Sequence, residues 1–340
     1  MEKCVQRWAV NISNWKPSSL HFSAAISLLP QHEHSSITRF VGLEDRKRAL
    51  VSRLLQYALV HQVLGIPFDD IIIRRTPEGK PFLVCDSMKL RFKNFNYNVS
   101  HHGDYVAIAS EPICLVGLDI VSHSIPVNES AKEFIQNFSS HFSSLEWHHI
   151  LNAGSSDEML KVFYRYWCLK EAFVKAIGAG VGYKLDDVEF HHNNWDNIFV
   201  KVAGKELKDW KFWLIELGQN HSSPLQLAEW YLQIYASGNN KMDVNTSLFF
   251  FQKRIYKVSI ARGHPMTAIT NYTKTLNWIE FDDKEYNLGL HLPNSSFKFV
   301  TVEDLVRLWR CADIISRKPL VDADKDETEN NFPCIDKIFD

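Results

Sequence analysis

Two carboxylates and one amine, far apart in the chain, are the side chains best suited to bind a metal ion and phosphate. Glu171 and Lys175 stand four apart in Trp167-Cys168-Leu169-Lys170-Glu171-Ala172-Phe173-Val174-Lys175, so on a helix they share one face, with Trp167 a turn earlier. Taken alone they are equally well an exposed ion pair worth about 0.3–0.5 kcal/mol. Asp119 is a lone acid in the apolar run Leu115-Val116-Gly117-Leu118-Asp119-Ile120-Val121. It either lies at a solvated strand end or is held by a cation, because burying an unpaired carboxylate is costly. Asp119 and Glu171, completed by waters and phosphate oxygens, make the oxygen donor set that magnesium takes.

Two further stretches carry donors. Asn98-Val99-Ser100-His101-His102-Gly103-Asp104 offers amide, hydroxyl and imidazole groups just ahead of a predicted strand. It reads either as an ordinary Asx-rich turn or as a loop that holds phosphate oxygens. Arg75-Thr76-Pro77-Glu78-Gly79-Lys80-Pro81 combines two cations with a rigid proline and a permissive glycine, and alone is a solvated turn.

Recurring elements must position these groups. Val5 to Trp15 alternates apolar residues and stops at Lys16-Pro17, which predicts a strand. Leu43 to Leu64 keeps helical spacing at Leu50, Leu54, Tyr57, Ala58 and Leu64, and Gly65-Ile66-Pro67 ends it. Ile71 to Arg74 is a short strand, and Tyr105 to Ala109 and Leu115 to Val121 are two more. The second half repeats this order: helical segments around 129 to 151, a long helix from Asp157 to Ile177, a Gly-rich break, and strands near 188, 199, 212 and 256. Pro67-Phe68-Asp69-Asp70-Ile71 after the first long helix is echoed by Lys184-Leu185-Asp186-Asp187-Val188 after the second. The echo fits an αβ unit used twice, or a chance match of two aspartates.

Composition bounds the function classes. The 340 residues, 45% hydrophobic, suffice for one large domain or two ordinary ones. Lys plus Arg (38) nearly balance Asp plus Glu (40), which gives no basis for nucleic acid or an anionic membrane as a partner. Cys4, Cys85, Cys114, Cys168, Cys311 and Cys334 form neither a C-x-x-C pair nor a zinc spacing, and read as buried thiols in a reducing compartment. No run reaches the roughly 18 uncharged apolar residues of a spanning helix. The N-terminus lacks a signal-peptide core and a transit-peptide bias, so a soluble cytosolic protein is expected. Beyond residue 315 the polar stretch with Asp322, Asp324, Asp326, Glu327 and Glu329 is expected to be disordered.

Four blocks in order, Arg75 to Pro81 (RTPEGKP), Phe95 to His101 (FNYNVSH), Val116 to Ile120 (VGLDI) and Trp167 to Lys175 (WCLKEAFVK), resemble the 4'-phosphopantetheinyl transferases. The resemblance is to the monomeric, surfactin-synthetase-activating class, most closely the aminoadipate-semialdehyde dehydrogenase phosphopantetheinyl transferase type. It covers roughly residues 5 to 218, with Tyr256 to Arg262 similar to the family's closing strand. It implies an α/β (α+β) fold, a pseudo-twofold duplication with subdomains at 1–115 and 116–262. An insertion would fall at 219–253, a C-terminal extension at 263–314 and the tail at 315–340. Coenzyme A would lie between the halves. Arg75, Thr76, Pro77, Glu78, Gly79 and Lys80 would hold its adenine and ribose end, and Asn98, Val99, Ser100 and His101 the 3'-phosphate and neighbouring groups. Asp119 and Glu171 would bind magnesium on the pyrophosphate, Lys175 would reach a phosphate oxygen, and Glu171 would be the general base. The implied reaction is that of a holo-[acyl-carrier-protein] synthase, transferring phosphopantetheine to a serine of an apo acyl or peptidyl carrier protein by a monomeric enzyme.

The sequence departs from that pattern in places. Val121 stands where some relatives carry a further acid, and Glu33 and Ser36 where relatives tend to be basic, leaving Arg39 as the nearest cation. The 219–253 segment, with Trp230, Tyr231, Phe249, Phe250 and Phe251, is too apolar for a solvated loop. Gly263 to Trp309 shows helix-like and strand-like pieces but no residue tied to catalysis. Two rival readings exist. A zinc-dependent hydrolase is prompted by 15 histidines and the pairs at 101–102, 148–149 and 191–192, yet no H-E-x-x-H spacing occurs. A non-enzymatic docking module for an acidic helical protein would survive Glu171→Gln.

Overall fold

The computed structural model describes residues 1–85, 94–123, 129–217, 256–276 and 282–316. The expected insertion at 219–253 and nearly all of the expected disordered tail lie outside the described residues.

In the first half, strand β1 (Gln6–Asn11) leads through two short helices, α1 (Ser19–Ile26) and α2 (Gln31–Thr38), to the long helix α3 (Leu43–Leu64). A hairpin follows, β2 (Ile72–Arg75) and β3 (Pro81–Val84), and then β4 (Asn96–His102) and β5 (Tyr105–Glu111). Strand β5 pairs antiparallel with both β1 and β4. The second half begins with β6 (Leu115–Ser122) and continues with α4 (Ala131–Gln136), α5 (Ser144–Leu151) and the long α6 (Ser156–Ile177). Strands β7 (Val188–Asn193), β8 (Asp196–Val202) and β9 (Lys205–Glu206) come next, then β10 (Trp210–Leu217) and β11 (Tyr256–Gly263). Here β11 pairs antiparallel with both β6 and β10. The order β1-β5-β4 is thus repeated as β6-β11-β10, and the expected duplication is seen in the topology.

The two long helices match in detail. Each has 22 residues and ends at a glycine in the left-handed region, Gly65 at φ 69° and Gly178 at φ 77°, which side chains resist. Each is followed by a short 3-10 turn, Phe68–Asp70 or Leu185–Asp187, and a hairpin. Their apolar faces bury Leu50, Leu54 and Tyr57 in one core and Phe163, Leu169 and Phe173 in another.

The segment expected as an Asn98–Asp104 loop is instead strand β4, turning only at Gly103 and Asp104. Its polar residues alternate because they face β6 and take the place of backbone partners. Asn96 Oδ1 accepts from Val116 N at 3.0 Å, Asn98 Oδ1 from Leu118 N at 2.8 Å and Ser100 Oγ from Ile120 N at 3.3 Å. A strand presents every second side chain on one face, so N-x-N-x-S supplies a row of acceptors across the seam between the halves.

The chain after β11 crosses both halves. Helix α7 (Thr270–Thr273) follows α6 in space, with Ile269 N donating to Ile177 O at 3.0 Å. Then α8 (Asp283–Leu290) leads to β12 (Lys298–Phe299), which pairs parallel with β1, and to α9 (Val302–Ser316). Trp309 of α9 stacks on Phe68 with ring centroids 3.8 Å apart. Buried Glu111 of β5 is held by two buried guanidiniums, Arg7 of β1 and Arg262 of β11, the latter at 2.8 Å. Arg262 also donates to Leu292 O at 2.5 Å and Arg7 to Asn294 Oδ1 at 3.3 Å. Among the described residues no helix is long and apolar enough to cross a membrane.

Candidate active site

The site forms where α6 lies directly on β6, and Gly117 permits that approach. A Cβ at Gly117 would fall 1.8 Å from the Ala172 carbonyl oxygen and 2.6 Å from Ala176 N. Two residues further along β6 is Asp119, 5% exposed. Of the two readings its sequence left open, the structure shows a buried acid held by a cation. Its Oδ1 accepts from Lys175 Nζ at 2.5 Å and from Ser100 Oγ at 3.1 Å. Ser100 in turn accepts from Lys175 Nζ at 3.0 Å and from Ile120 N, so its hydroxyl has one donated and two accepted bonds and nothing left over.

Glu171 and Lys175 share a helical face as the spacing predicted, and both couple to Asp119. Desolvation and then the Asp119 charge push the Glu171 carboxyl above its ordinary range, against the opposing charges of Lys175 and His141. For Lys175, burial acts to lower the pKa, but the charge and hydrogen bond of Asp119, with Glu171, outweigh it and hold the ammonium above its usual value. Trp167, one turn earlier, meets His141 edge-on at 5.8 Å.

Lys170, adjacent to Glu171, points away and does a different job. It forms a fully buried ion pair with Glu146 at 2.7 Å and donates to Leu185 O at 2.8 Å and to Val188 O. Glu146 also accepts from Phe190 N at 2.9 Å and closes a capping box with Ser143. This pair fixes the roll of α6 and was not singled out from the sequence. A lysine next to a glutamate carries no signal until the helix faces are known.

The Arg75–Lys80 turn is closed by Thr76 N to Lys80 O at 2.9 Å and Gly79 N to Thr76 O at 2.8 Å, with Gly79 at φ 92°. Arg75 Nη1 donates to Gly79 O at 3.0 Å, and Pro77 is exposed at the tip. The turn leans on the second half: a Cβ at Gly180 would come within 2.8 Å of Glu78 Cβ. Lys80 is buried and donates to Val116 O at 3.0 Å and to Lys175 O at 2.6 Å, and burial with the Lys175 charge pushes its pKa down to about 7. Ser100, Asp119, Glu171, Lys175 and Lys80 are therefore brought together. The side-chain oxygen of Asn98 is committed to the seam, and Val99 packs half-buried against the first core. His101 lies one residue before the end of β4, where desolvation and then Lys175 and Arg48 disfavour its cationic form. Arg75 instead lies in the field of Arg53, Glu33 and Arg39. Glu33 is paired with Arg53 at 2.7 Å.

The donor set fits magnesium. Two carboxylates close enough for one to raise the other are relieved by a divalent cation. Val121 is buried in β6 and brings no third acid. Among the described residues no group of three His, Cys, Asp or Glu is arranged to hold a metal ion, so a metal ion held by these two carboxylates would take its remaining oxygens from water or phosphate. The histidine pairs sit on three separate elements, β4, α5 and β7.

Comparison with known proteins defines the class. Residues 13–113 match the family described as 4'-phosphopantetheinyl transferase, N-terminal, and residues 115–230 the 4'-phosphopantetheinyl transferase superfamily. The chain belongs to the 4'-phosphopantetheinyl transferase family, whose chemistry is the transfer of phosphopantetheine to carrier proteins. It is 36% identical over 223 residues to the L-aminoadipate-semialdehyde dehydrogenase-phosphopantetheinyl transferase of Rattus norvegicus, covering 63% of this chain and 72% of that one. It is 31% identical over 223 residues to the phosphopantetheinyl transferase of Thraustochytrium sp., covering 64% and 76%. The holo-[acyl-carrier-protein] synthase of Thermotoga maritima superposes with a TM-score of 0.24 at 18% identity, over 44% of this chain and 62% of that one, too little to compare geometry. Neither the zinc-hydrolase nor the docking-module reading finds support in these similarities.

Proposed function

We propose that this chain carries out the holo-[acyl-carrier-protein] synthase reaction on carrier domains of the aminoadipate-reductase or acyl-carrier type, with coenzyme A as donor and magnesium as the metal. The observation that carries the proposal is the cluster of buried Asp119 and Ser100 with half-buried Lys175, and Glu171 on the same helix face. The carrier serine Oγ attacks the β-phosphorus of coenzyme A, the bond from that phosphorus to the bridging oxygen breaks, and adenosine 3',5'-bisphosphate leaves. The serine proton passes to Glu171, a carboxylate on the same helix face as Lys175. Lys175 would turn from Asp119 to a phosphate oxygen and offset the charge that gathers there. Magnesium, held by Asp119 and Glu171, would add Lewis-acid stabilisation of the pyrophosphate. Arg75 to Lys80, with Asn98, Val99, Ser100 and His101, are the proposed contacts for the nucleotide end, and the enzyme acts as a cytosolic monomer.

Calorimetric titration of the purified chain with coenzyme A tests this reading. Magnesium is expected to tighten binding in the wild type and to have no effect in Asp119→Ala. Binding that ignores magnesium in both would remove the metal site, and no binding at all would remove the function.

A further inference from the structure

The sequence beyond β11 offered no residue with a tie to catalysis, and it lies outside both matched segments of the family. Yet α7 touches the substrate turn at two places. Asn271 Nδ2 donates to Glu78 Oε1 at 2.7 Å, a contact spanning 193 positions, and this bond is the main cause holding the Glu78 carboxyl below its ordinary range. Tyr272, buried, presents its ring face to Lys80 Nζ at 4.7 Å from the centroid. The same residue abuts the end of α6: a Cβ at Gly178 would lie 2.9 Å from Tyr272 Cβ. One short helix thus holds Glu78, Lys80 and the last turn of the helix that carries Lys175.

We infer that Asn271 and Tyr272 are positioning residues for coenzyme A, acting through the Arg75–Lys80 turn rather than on the reacting atoms. The inference rests on the coenzyme A reading of that turn. The Asn271 bond holds Glu78 at the tip of the turn, while Lys80 keeps its own bonds to Val116 O and Lys175 O, so losing the Asn271 bond loosens the tip and leaves Asp119, Glu171 and Lys175 as they are. A turn that must be ordered on binding costs affinity for the nucleotide and leaves the chemical step unchanged.

The test uses the full chain with coenzyme A and an apo acyl carrier protein, for wild type, Asn271→Ala, Asn271→Asp, Tyr272→Phe and Tyr272→Ala. Asn271→Ala is expected to raise KM for coenzyme A and Kd for adenosine 3',5'-bisphosphate about threefold to tenfold. Its kcat, its KM for the carrier and its Tm should stay at wild-type values. Asn271→Asp, which sets an acid against Glu78, should weaken coenzyme A further. Tyr272→Phe keeps the ring over Lys80 and should match wild type, whereas Tyr272→Ala should not. An unchanged KM for coenzyme A in Asn271→Ala overturns the inference. So does a variant in which kcat and Tm fall and carrier KM rises as well, since that marks a general structural role. If wild type itself binds no coenzyme A, the inference falls together with the proposed function; normal wild-type binding isolates failure of the inference alone.

Discussion

Lys175 neutralises a buried carboxylate and shares a hydroxyl with it, so the ground state of the site is already paired before any phosphate arrives. Glu171 is the group left under strain, desolvated beside Asp119. Its carboxyl should therefore titrate above the usual value of about 4.3 in metal-free protein, and Asp119→Asn should move that midpoint down. Carbon-13 NMR of the side-chain carboxyl measures this, and a midpoint within the ordinary range in wild type would contradict the account. The sign is that of a raised carboxyl: in metal-free protein Glu171 takes up its proton as pH falls through that raised value. Glu171→Gln should lower kcat by about 10²–10⁴-fold and weaken the effect of magnesium on coenzyme A binding; a kcat within a few-fold of wild type would assign the proton to another group.

At the scale of elements, the site depends on how closely α6 lies on β6. Gly117→Ala places a methyl inside the Ala172 carbonyl, which no rotamer change relieves, so the helix must move. The expected cost is about 3 kcal/mol or more in urea unfolding, and a loss under 1 kcal/mol would mean the contact is looser than described. The long helices α3 and α6 and the echoed Asp-Asp turns were legible in the sequence, because apolar spacing and terminal glycines state where a helix starts, faces and stops. The pairing of Asp119 with Glu171 was legible from two carboxylates suited to one metal ion and from the resemblance, whereas the ion pair of Lys175 with Asp119 was not, since apolar spacing does not show which helix lies on which strand. Strand β4 was not, since Asn98 and Ser100 read as turn formers when nothing in the chain shows that Leu118 and Ile120 supply the donors they accept from. The short helices α1 and α2 and the ion pair of Lys170 with Glu146 were equally hidden, each depending on tertiary packing.

The topology repeats one unit, β1-β5-β4 and β6-β11-β10, and what holds the two copies in register lies partly outside the repeat. Glu111 offsets two buried guanidiniums, of which Arg262 binds Leu292 O and Arg7 binds Asn294 of the C-terminal segment. Glu111→Gln leaves two uncompensated buried cations and should cost about 3–5 kcal/mol. Chemical denaturation of the purified variant checks this, and a difference below 1 kcal/mol would show that the carbonyls alone suffice.

The most direct test of the central claim is the intact mass of an apo acyl carrier protein after incubation with this chain, coenzyme A and magnesium. A gain of about 340 Da, one phosphopantetheine group, is predicted for wild type and not for Asp119→Ala or Glu171→Ala. A carrier that gains the same mass with both variants would contradict the assignment of the site. No gain with any carrier tested, by a chain that still binds coenzyme A, would contradict the proposed transfer.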